Sequence, residues 1–248
     1  MFAHERQREI LKLLHRRRRL LVRELADMLG ISSATLRRDL SHLDGKNQIQ
    51  RVHGGVVLPG AAPDEASLRQ KSATATQAKK RIAAQVAASV SAGATVFIDG
   101  GTTCLEAGRL LCKRADLTLI TNSLPLIAGY ERFTAKLIVL GGERRPVSGA
   151  LVGTLALDAL AQLRADVALI GASGLDPVDG PATTEALETA VKREWIRRSK
   201  SAWLLVDATK WHQNAAIRFA DWNEFACLFT DQRPPAPIKC RTLKTILS

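Results

Sequence analysis

The sequence predicts an α/β protein with a small helical N-terminal domain and a larger domain built on a mainly parallel, open sheet. Three short amphipathic helical patterns, followed by a glycine-containing hairpin pattern, predict the first domain. Six short apolar runs that alternate with helix-length segments predict the second. We place the first domain at residues 1–58, a linker at 59–77 and the second domain at 78–248.

The composition indicates a soluble globular protein. Its 248 residues suffice for one large and one small domain, since domains commonly contain about 100 to 200 residues. Hydrophobic residues make up 46% of the chain, and no apolar run approaches the roughly 18 residues of a membrane-spanning helix. The N-terminal sequence MFAHERQREI carries charges where a signal peptide has an apolar core, so we expect a cytoplasmic protein.

The cysteine pattern predicts neither disulfides nor a metal site. Cys104, Cys112, Cys227 and Cys240 lack CxxC and zinc-finger spacing, and so few cysteines in a chain of this length are typical of buried thiols. We assign them no chemistry, and we expect neither a metal nor a cofactor.

The net charge of +12 suggests a polyanionic partner, and its distribution points to the N-terminal region. Residues 1–60 contain 12 Lys or Arg against 6 Asp or Glu, and residues 61–248 contain 24 against 18. Each part carries a net charge of +6, so the net positive charge per residue is about three times higher in the first part. A basic surface can serve solubility alone, so the charge counts as evidence only where local geometry agrees.

The first domain contains three helical patterns with apolar residues on one face. The apolar stripes are Ile10, Leu13 and Leu14, then Val22, Leu25, Ala26 and Leu29, and finally Leu36, Leu40 and Leu43. Gly30 is placed to end the second helix, and Ser32 is placed to cap the third. A helix, a tight turn and a second helix in this order have the spacing of a helix-turn-helix motif.

The third helix, SATLRRDLSHL, predicts a DNA-reading surface. With its leucines toward the core on a wheel of about 100° per residue, its outward face carries Ala34, Arg38 and Ser41, flanked by Thr35 and Arg37. Such small, hydroxylated and cationic faces fit a major groove, where arginine reads guanine. The alternative is a solvated helix that carries two arginines. The DNA contacts that we assign to this helix are Ser33, Thr35, Arg37, Arg38 and Ser41.

The sequence QIQRVHGGVVL predicts a hairpin, or wing, over residues 48–58, because it alternates as a strand and turns at Gly54 and Gly55. Arg51 and His53 share one face of this hairpin and complete the assigned DNA contacts, at the backbone or minor groove. The run from Arg16 to Arg19 either binds phosphates from the first interhelical turn or is simply hydrated.

The stretch TLRRDLSHLDGKNQIQRVHGG resembles the signature of the DeoR family of bacterial transcriptional regulators. The spacing from RRDL to RVHGG carries the resemblance. It implies a winged helix-turn-helix that binds double-stranded operator DNA.

The segment from Pro59 to Gln77 is rich in Ala, Pro, Ser and Thr, so it predicts a linker with at most a short helical piece. Beyond it, the apolar runs ATVFI, LTLIT, KLIVL, DVALI, AWLLV and ACLFT alternate with segments long enough for helices. This alternation predicts βαβ units and a mainly parallel sheet covered on both faces.

Small and polar residues follow nearly every predicted strand, as in IDGGTT, residues 98–103. In a parallel sheet these positions converge beyond the carboxyl ends of the strands, where ligands bind. A helix that starts near Thr102 would offer free N–H groups and two hydroxyls above Asp99 and Gly100, which suits a phosphate. Because GxGxxG and GxxxxGK[ST] are absent, a small phosphate ester fits better than a nucleotide. Asp99 and Lys210 could instead form a structural ion pair.

IDGGTT, TNS, LGGE, GALVG, GASGLD and LLVDATK are similar to landmarks of the DeoR effector domain. That domain resembles ribose-5-phosphate isomerase and the CoA transferases in fold, and the resemblance implies a sugar-phosphate or polyol-phosphate effector. The ligand contacts that it implies are Asp99, Gly101, Thr102, Thr103, Asn122, Gly142, Gly174 and Lys210. The segment DPVDGPATTEALETA departs from the usual pattern.

Two functional hypotheses follow from these features. The first is a repressor of carbohydrate or polyol metabolism genes whose operator binding is controlled by a phosphorylated metabolite. The alternative is an isomerase in which Asp99 or Glu143 abstracts a proton and Lys210 stabilises an enediolate. A groove-reading helix serves a regulator and not an isomerase, so we favour the first. An RNA-binding protein would need aromatic stacking residues, which residues 4–59 lack.

The regulator hypothesis requires an assembly of at least two copies, because one small domain makes few DNA contacts. We expect a homo-oligomer, a dimer or a tetramer, whose effector releases the DNA. The helix predicted at 184–200, with VKREWIRRSK, is either an oligomer surface or a solvated face.

Overall fold

The computed structural model describes residues 2–17, 19–46, 48–52, 55–57, 66–129, 134–213, 215–238, 240 and 242–248. For residues 15–17, 19, 50–52 and 57 the description covers the backbone only. The chain forms two compact units, Met1–Glu65 and Ala66–Ser248. No helix of the described residues is both long and apolar enough to cross a bilayer.

The described residues of the first unit form three helices and three short strands. In chain order they are α1 (Ala3–Arg17), β1 (Arg19–Leu21), α2 (Val22–Leu29), α3 (Ser33–Gly45), β2 (Gln50–Val52) and β3 (Gly55–Val57). The predicted apolar stripes form its core, in which Ile10, Leu14, Leu25, Leu36 and Leu40 are fully buried. Gly30 ends α2 in the left-handed conformation (φ 62°). The Ser32 hydroxyl caps α3 by accepting a hydrogen bond from the Thr35 N–H at 3.2 Å.

The wing is a three-stranded antiparallel sheet with the order β1-β3-β2. The predicted hairpin supplies β2 and β3, and β1 adds a strand that the sequence did not predict. Of the run from Arg16 to Arg19, Arg16 and Arg17 belong to the end of α1 and Arg19 begins β1, and the choice between phosphate binding and hydration stays a prediction. The side chains of this run lie outside the described residues.

The second unit contains the remaining six helices and twelve strands of the described chain. They are α4 (Leu68–Ala73), α5 (Thr76–Ser89), β4 (Thr95–Ile98), α6 (Thr102–Leu111), β5 (Thr118–Thr121), α7 (Leu124–Ile127), β6 (Lys136–Val139), β7 (Glu143–Arg144), β8 (Leu151–Val152), α8 (Thr154–Ala161), β9 (Ala165–Ile170), β10 (Gly174–Asp176), β11 (Gly180–Thr183), α9 (Ala186–Arg197), β12 (Ser199–Leu205), β13 (Ile217–Arg218), β14 (Cys227–Thr230) and β15 (Lys244–Leu247).

A seven-stranded parallel sheet with the order β15-β14-β12-β9-β4-β5-β6 organises this unit. All six predicted strands belong to it, and β15 is a seventh that the sequence did not predict. Phe97 and Ile98 are neighbours on β4 that point to opposite faces and belong to different core clusters. Helices α8 and α9 pack on the Phe97 side, and α5 and α6 pack on the Ile98 side. The prediction of a mainly parallel sheet covered on both faces is confirmed.

Two segments of the second unit differ from the sequence-based expectation. Residues 66–77, which we assigned to a linker, belong to the compact unit and contain α4. Helix α9 has a buried face that the sequence analysis did not assign. Val191, Lys192 and Trp195 are buried there, and the Trp195 ring lies 4.4 Å from that of Phe97. The two alternatives for residues 184–200, an oligomer surface or a solvated face, concern the other side of the helix and stay predictions.

Candidate functional site

Helix α3 presents the small and basic face that the wheel predicts. Ala34, Arg37, Arg38 and Ser41 are exposed, whereas Leu36, Leu40 and Leu43 are buried. Ser33 is also exposed, and Thr35 is half-buried beside the Ser32 cap. The two arginine side chains therefore stand on the solvent side of the helix, available to a duplex.

A buried carboxylate fixes α3 against α1. Asp39 is 4% exposed and accepts hydrogen bonds from Arg6 Nε at 2.8 Å and Arg6 Nη2 at 3.2 Å. Gln7 Nε2 donates to the same carboxylate at 3.4 Å. Arg6 thus contributes to the orientation of α3 through Asp39, and its charge is compensated inside the unit.

The two wing residues are described incompletely. The backbone of Arg51 lies in β2, but its side chain is outside the description. His53 lies outside the described residues altogether. Their assignment as DNA contacts stays a prediction from the sequence.

A cavity opens at the carboxyl ends of β4, β9 and β12, which we call the strand-end cavity. Its polar and glycine lining consists of Lys71, Asp99, Gly100, Gly101, Thr102, Thr103, Ser148, Gly171, Ser173, Glu188, Lys192 and Lys210. Six of the predicted effector residues therefore meet in one place: Asp99, Gly100, Gly101, Thr102, Thr103 and Lys210. This location agrees with the general rule for parallel α/β sheets.

A buried ion pair forms the base of the strand-end cavity. Lys192 Nζ donates a short hydrogen bond to Asp99 Oδ2 and another to the Gly171 carbonyl at 3.0 Å. The Gly171 N–H donates to the same Asp99 oxygen at 3.0 Å. The pair thus holds the loop after β9 against the end of β4. The ion-pair partner of Asp99 is Lys192, so the alternative of a structural ion pair between Asp99 and Lys210 is wrong.

The electrostatics of this pair favour the charged form of Lys192. Burial lowers the pKa of Lys192, but the Asp99 carboxylate, followed by Glu188, raises it, and the net pKa shift is upward. Burial and the same Asp99 charge raise the pKa of the Cys104 thiol well above its ordinary value. Cys104 therefore stays protonated, and it has the properties of a core residue rather than a nucleophile.

Helix α6 begins at Thr102, as the sequence predicts, with Gly101 as its N-cap residue. The first helical hydrogen bond runs from the Leu105 N–H to the Gly101 carbonyl, so the N–H groups of the first turn precede the helical ladder. Thr102 and Thr103 are 9% and 5% exposed and line the cavity. No hydrogen bond within the described part of the chain uses either hydroxyl. This arrangement offers donors to an anion.

Lys210 reaches the cavity from a 3-10 helical turn, Ala208–His212, that follows β12. Asp207 caps this turn by accepting hydrogen bonds from the N–H and the hydroxyl of Thr209. Lys210 Nζ donates to Gln213 Oε1 at 2.9 Å. Lys210 and the first residues of α6 therefore line the same cavity from two different elements.

Three predicted effector residues are not part of the cavity lining defined by the described residues. Asn122 is buried and donates to the Leu151 carbonyl at 3.0 Å. A Cβ atom at Gly142 would lie 2.6 Å from the Val152 carbonyl oxygen, and one at Gly174 would lie 2.1 Å from that of Gln213. The two glycines are thus packed closely against backbone carbonyl groups.

Lys192, Lys71, Ser148 and Glu188 line the cavity but were not found from the sequence. Their partners are distant along the chain, as with Glu188, which lies 3.1 Å from Arg145. The sequence does contain one signal for the burial of Lys192. Val191 and Trp195 are apolar residues four apart, a spacing that predicts a buried helix face next to Lys192.

The isomerase hypothesis names Glu143 or Asp99 as the base. Glu143 is exposed on β7 and is not part of the described cavity lining, and Asp99 is bound to Lys192. Among the described residues no cluster of His, Cys, Asp and Glu could hold a metal ion. The four cysteines are free thiols.

Comparison with known protein families matches both units. Residues 6–61 match the family described as DeoR-like helix-turn-helix domain, and residues 74–232 match the family described as DeoR C terminal sensor domain.

Relatives match the chain over nearly its full length. The glycerol-3-phosphate regulon repressor of Escherichia coli (strain K12) is 32% identical over 237 residues, which cover 94% of this chain and 93% of the relative. The HTH-type transcriptional repressor CsqR of the same organism is 30% identical over 96% of this chain and 92% of its own length. The HTH-type transcriptional regulator GlpR of Haloferax volcanii is 30% identical, with 93% and 91% covered.

A distant likeness exists among solved structures. Ribose 5-phosphate isomerase A from Methanocaldococcus jannaschii has a TM-score of 0.37 at 16% identity and covers 54% of this chain and 53% of its own. That degree of similarity carries no functional argument. The two family matches decide between the regulator and the isomerase hypotheses. The chain belongs to the DeoR family of DNA-binding transcriptional regulators, with an N-terminal helix-turn-helix domain and a C-terminal sensor domain, and it is not an enzyme.

Proposed function

We propose that this chain represses genes of carbohydrate or polyol metabolism, and that it releases its operator when a small phosphate ester occupies the strand-end cavity. The observation that carries the proposal is the pairing of two features in one chain. An exposed basic face on α3 suits DNA, and buried threonines at the start of α6 suit a phosphate. Two of the relatives described above are named as repressors, which supports the sign of the regulation.

The DNA contacts proposed on α3 are Ser33, Thr35, Arg37, Arg38 and Ser41, with Arg51 and His53 on the wing. Arg38 is the central member of this set, because it is exposed and lies between two buried leucine positions of the same helix. Ser41 is exposed on the same side of the helix, and its hydroxyl donates to the Arg37 carbonyl at 2.9 Å. An arginine that reads a guanine edge contributes about 1 to 3 kcal/mol of discrimination.

The phosphate contacts proposed in the strand-end cavity come mainly from α6 and the Lys210 turn. The helix dipole alone contributes about 0.3 to 1 kcal/mol at an exposed end. The hydroxyls of Thr102 and Thr103, the first N–H groups of α6 and the Lys210 ammonium must therefore supply most of the affinity. Asn122, Gly142 and Gly174, which the family resemblance also implies as contacts, are not part of the described cavity lining, so we propose no direct phosphate contact for them.

The chemistry of the cavity favours a small ester. Its lining combines short side chains and glycines with lysines, and its base is occupied by the Asp99–Lys192 pair. Glycerol 3-phosphate heads the candidates, because a relative that is 32% identical is named for its regulon.

We also propose that the working form is a homo-oligomer of at least two copies. Two recognition helices that bind half-sites about 34 to 36 Å apart contact enough phosphates and bases for specific binding. A change in the sensor domains on effector binding then alters the spacing of the readers, a coupling typically worth about 1 to 3 kcal/mol.

The test is a titration of the full-length protein on fluorescent duplexes that it has selected from a random library. The panel contains glycerol 3-phosphate, ribose 5-phosphate, fructose 6-phosphate and inorganic phosphate, with glycerol, ribose and fructose as unphosphorylated controls. We expect at least one ester to release the duplex without being converted, as followed by NMR, and the unphosphorylated controls to have no effect. Failure of every phosphate to alter duplex binding, or turnover of an ester, would refute the proposal.

A further inference from the structure

The segment that enters the second unit forms part of the wall of the strand-end cavity. This unit begins at Ala66, and its first helix, α4, places Leu68 and Lys71 on the cavity wall. Because these residues are three apart, they lie on one face of the helix. The first secondary structure element after the DNA-binding unit is therefore a component of the candidate effector site.

Helix α4 is attached firmly to the sensor unit at its N-terminal end. The Leu68 N–H donates to the Val147 carbonyl at 2.8 Å, next to Ser148 of the cavity lining. Ser67 and Gln70 form a capping box, in which Gln70 Oε1 accepts from the Ser67 N–H at 2.9 Å. A shift of the wall near Val147 therefore moves the start of α4.

The C-terminal end of α4 is tied to the Lys210 turn through a buried lysine. The Lys79 side chain is 3% exposed, and its Nζ donates to the carbonyls of Lys71 and Thr74. The same Nζ lies 3.8 Å from Asp207 Oδ2, and Asp207 caps the turn that contains Lys210. Burial lowers the pKa of Lys79, because the charged ammonium group loses hydration inside the protein.

The charge of the wall favours an anion beside α4. Its two acidic residues both have cationic partners, since Asp99 is paired with Lys192 and Glu188 lies 3.1 Å from Arg145. Lys71 and Lys210 add two positive charges from different elements of the same lining. A phosphate dianion at the start of α6 interacts favourably with both ammonium groups.

We propose that Lys71 binds the phosphate group of the effector, and that α4 thereby couples occupancy of the strand-end cavity to the DNA-binding unit. This inference rests on the proposed function, because it takes the cavity to be the phosphate site. A phosphate held by Lys71 and Lys210 joins α4 to the turn after β12. Since α4 is the first element after the DNA-binding unit, ordering it restrains the chain that leads to that unit.

The experiment compares Lys71→Gln with Arg69→Gln in the full-length protein. Arg69 is an exposed cation on the same helix and is not part of the described cavity lining, so it controls for loss of charge on α4. Lys71→Arg keeps the charge and serves as the rescue variant. Calorimetry measures the affinity for the panel ester that releases the duplex most effectively, glycerol 3-phosphate being the first choice. Hydrogen exchange measures the protection of residues 66–77.

We expect Lys71→Gln to weaken ester binding by about 10- to 100-fold, the effect of losing one charge-assisted hydrogen bond. Arg69→Gln and Lys71→Arg should bind within about threefold of the wild type, and all variants should bind the duplex normally without ester. The ester should slow exchange in 66–77 of the wild type, and saturating ester should fail to do so in Lys71→Gln.

The outcomes separate this inference from the proposed function. If the wild type responds to an ester while Lys71→Gln binds it as tightly as Arg69→Gln, the Lys71 assignment is wrong and the proposed function stands. If saturated Lys71→Gln protects 66–77 and releases the duplex like the wild type, the coupling role of α4 is refuted. If the wild type responds to no phosphate in the panel, the proposed function fails, and the inference fails with it.

Discussion

Replacing Lys192 with methionine perturbs the ion pair that forms the base of the strand-end cavity. The side chains of Lys192 and Asp99 are each 6% exposed. Methionine has a similar length but no charge, so the Asp99 carboxylate stays buried with the Gly171 N–H as its donor. Removing one partner from a buried pair costs about 3 to 5 kcal/mol, because the other charge is left uncompensated.

The expected effect is large enough to measure by urea unfolding. With an m-value of about 2 kcal/mol per M, a loss of about 4 kcal/mol lowers the midpoint by about 2 M. Adding Asp99→Asn removes the uncompensated charge while Asn can still accept from the Gly171 N–H. We expect the double variant to regain at least about half of the lost stability.

Tryptophan fluorescence follows this unit selectively, because Trp195, Trp203, Trp211 and Trp222 all belong to it. The control is Lys200→Met, which breaks the pair between Lys200 and Asp166 at 2.8 Å, in which Lys200 is 82% exposed to solvent. Solvent screening makes that pair nearly neutral for stability, so its midpoint should match the wild type. If Lys192→Met also unfolds at the wild-type midpoint, the pair does not stabilise the cavity base and this reasoning is refuted.

Two further predictions address the DNA face and the walls of the cavity. Arg38→Ala should weaken duplex binding by about 5- to 100-fold with an unchanged circular dichroism spectrum. The control is Lys12→Ala, which removes an exposed cation from α1 and should leave duplex binding normal. Equal affinities of the two variants would contradict the assignment of α3 as the DNA-reading helix. Gly174→Ala should destabilise the second unit by about 1 to 3 kcal/mol, because its Cβ would lie 2.1 Å from the Gln213 carbonyl oxygen. Gly141→Ala meets no atom within 4 Å and should unfold like the wild type, so similar urea midpoints for both variants would refute the packing argument.

The helices of the first unit and six of the seven sheet strands could be predicted because their signals are local. The leucine stripe of α3 and the cap at Ser32 are set by residues three or four apart. The strand β15 was missed because KTIL is short and follows a proline-rich stretch, and only pairing with β14 makes it a strand.

The base of the cavity could not be predicted, because it depends on contacts between distant residues. Asp99 and Lys192 are 93 positions apart, and neither local sequence contains a signal for the other. The residues that follow the strands predicted where the site lies, but they did not predict which side chains point into it. Asn122 follows β5 as predicted, yet its amide donates to the Leu151 carbonyl and is not part of the described cavity lining.

The most direct test of the central claim is the release titration of Thr102→Val beside Thr95→Val. Thr102 begins α6 and lines the cavity. Thr95 is the first residue of β4, at the end of that strand away from the cavity. We predict that both variants bind the duplex with wild-type affinity, but that Thr102→Val needs about tenfold or more of the effective ester to release it, through loss of one hydrogen bond to the phosphate. Release of Thr102→Val at the wild-type ester concentration would contradict the claim that this cavity holds the phosphate that controls DNA binding.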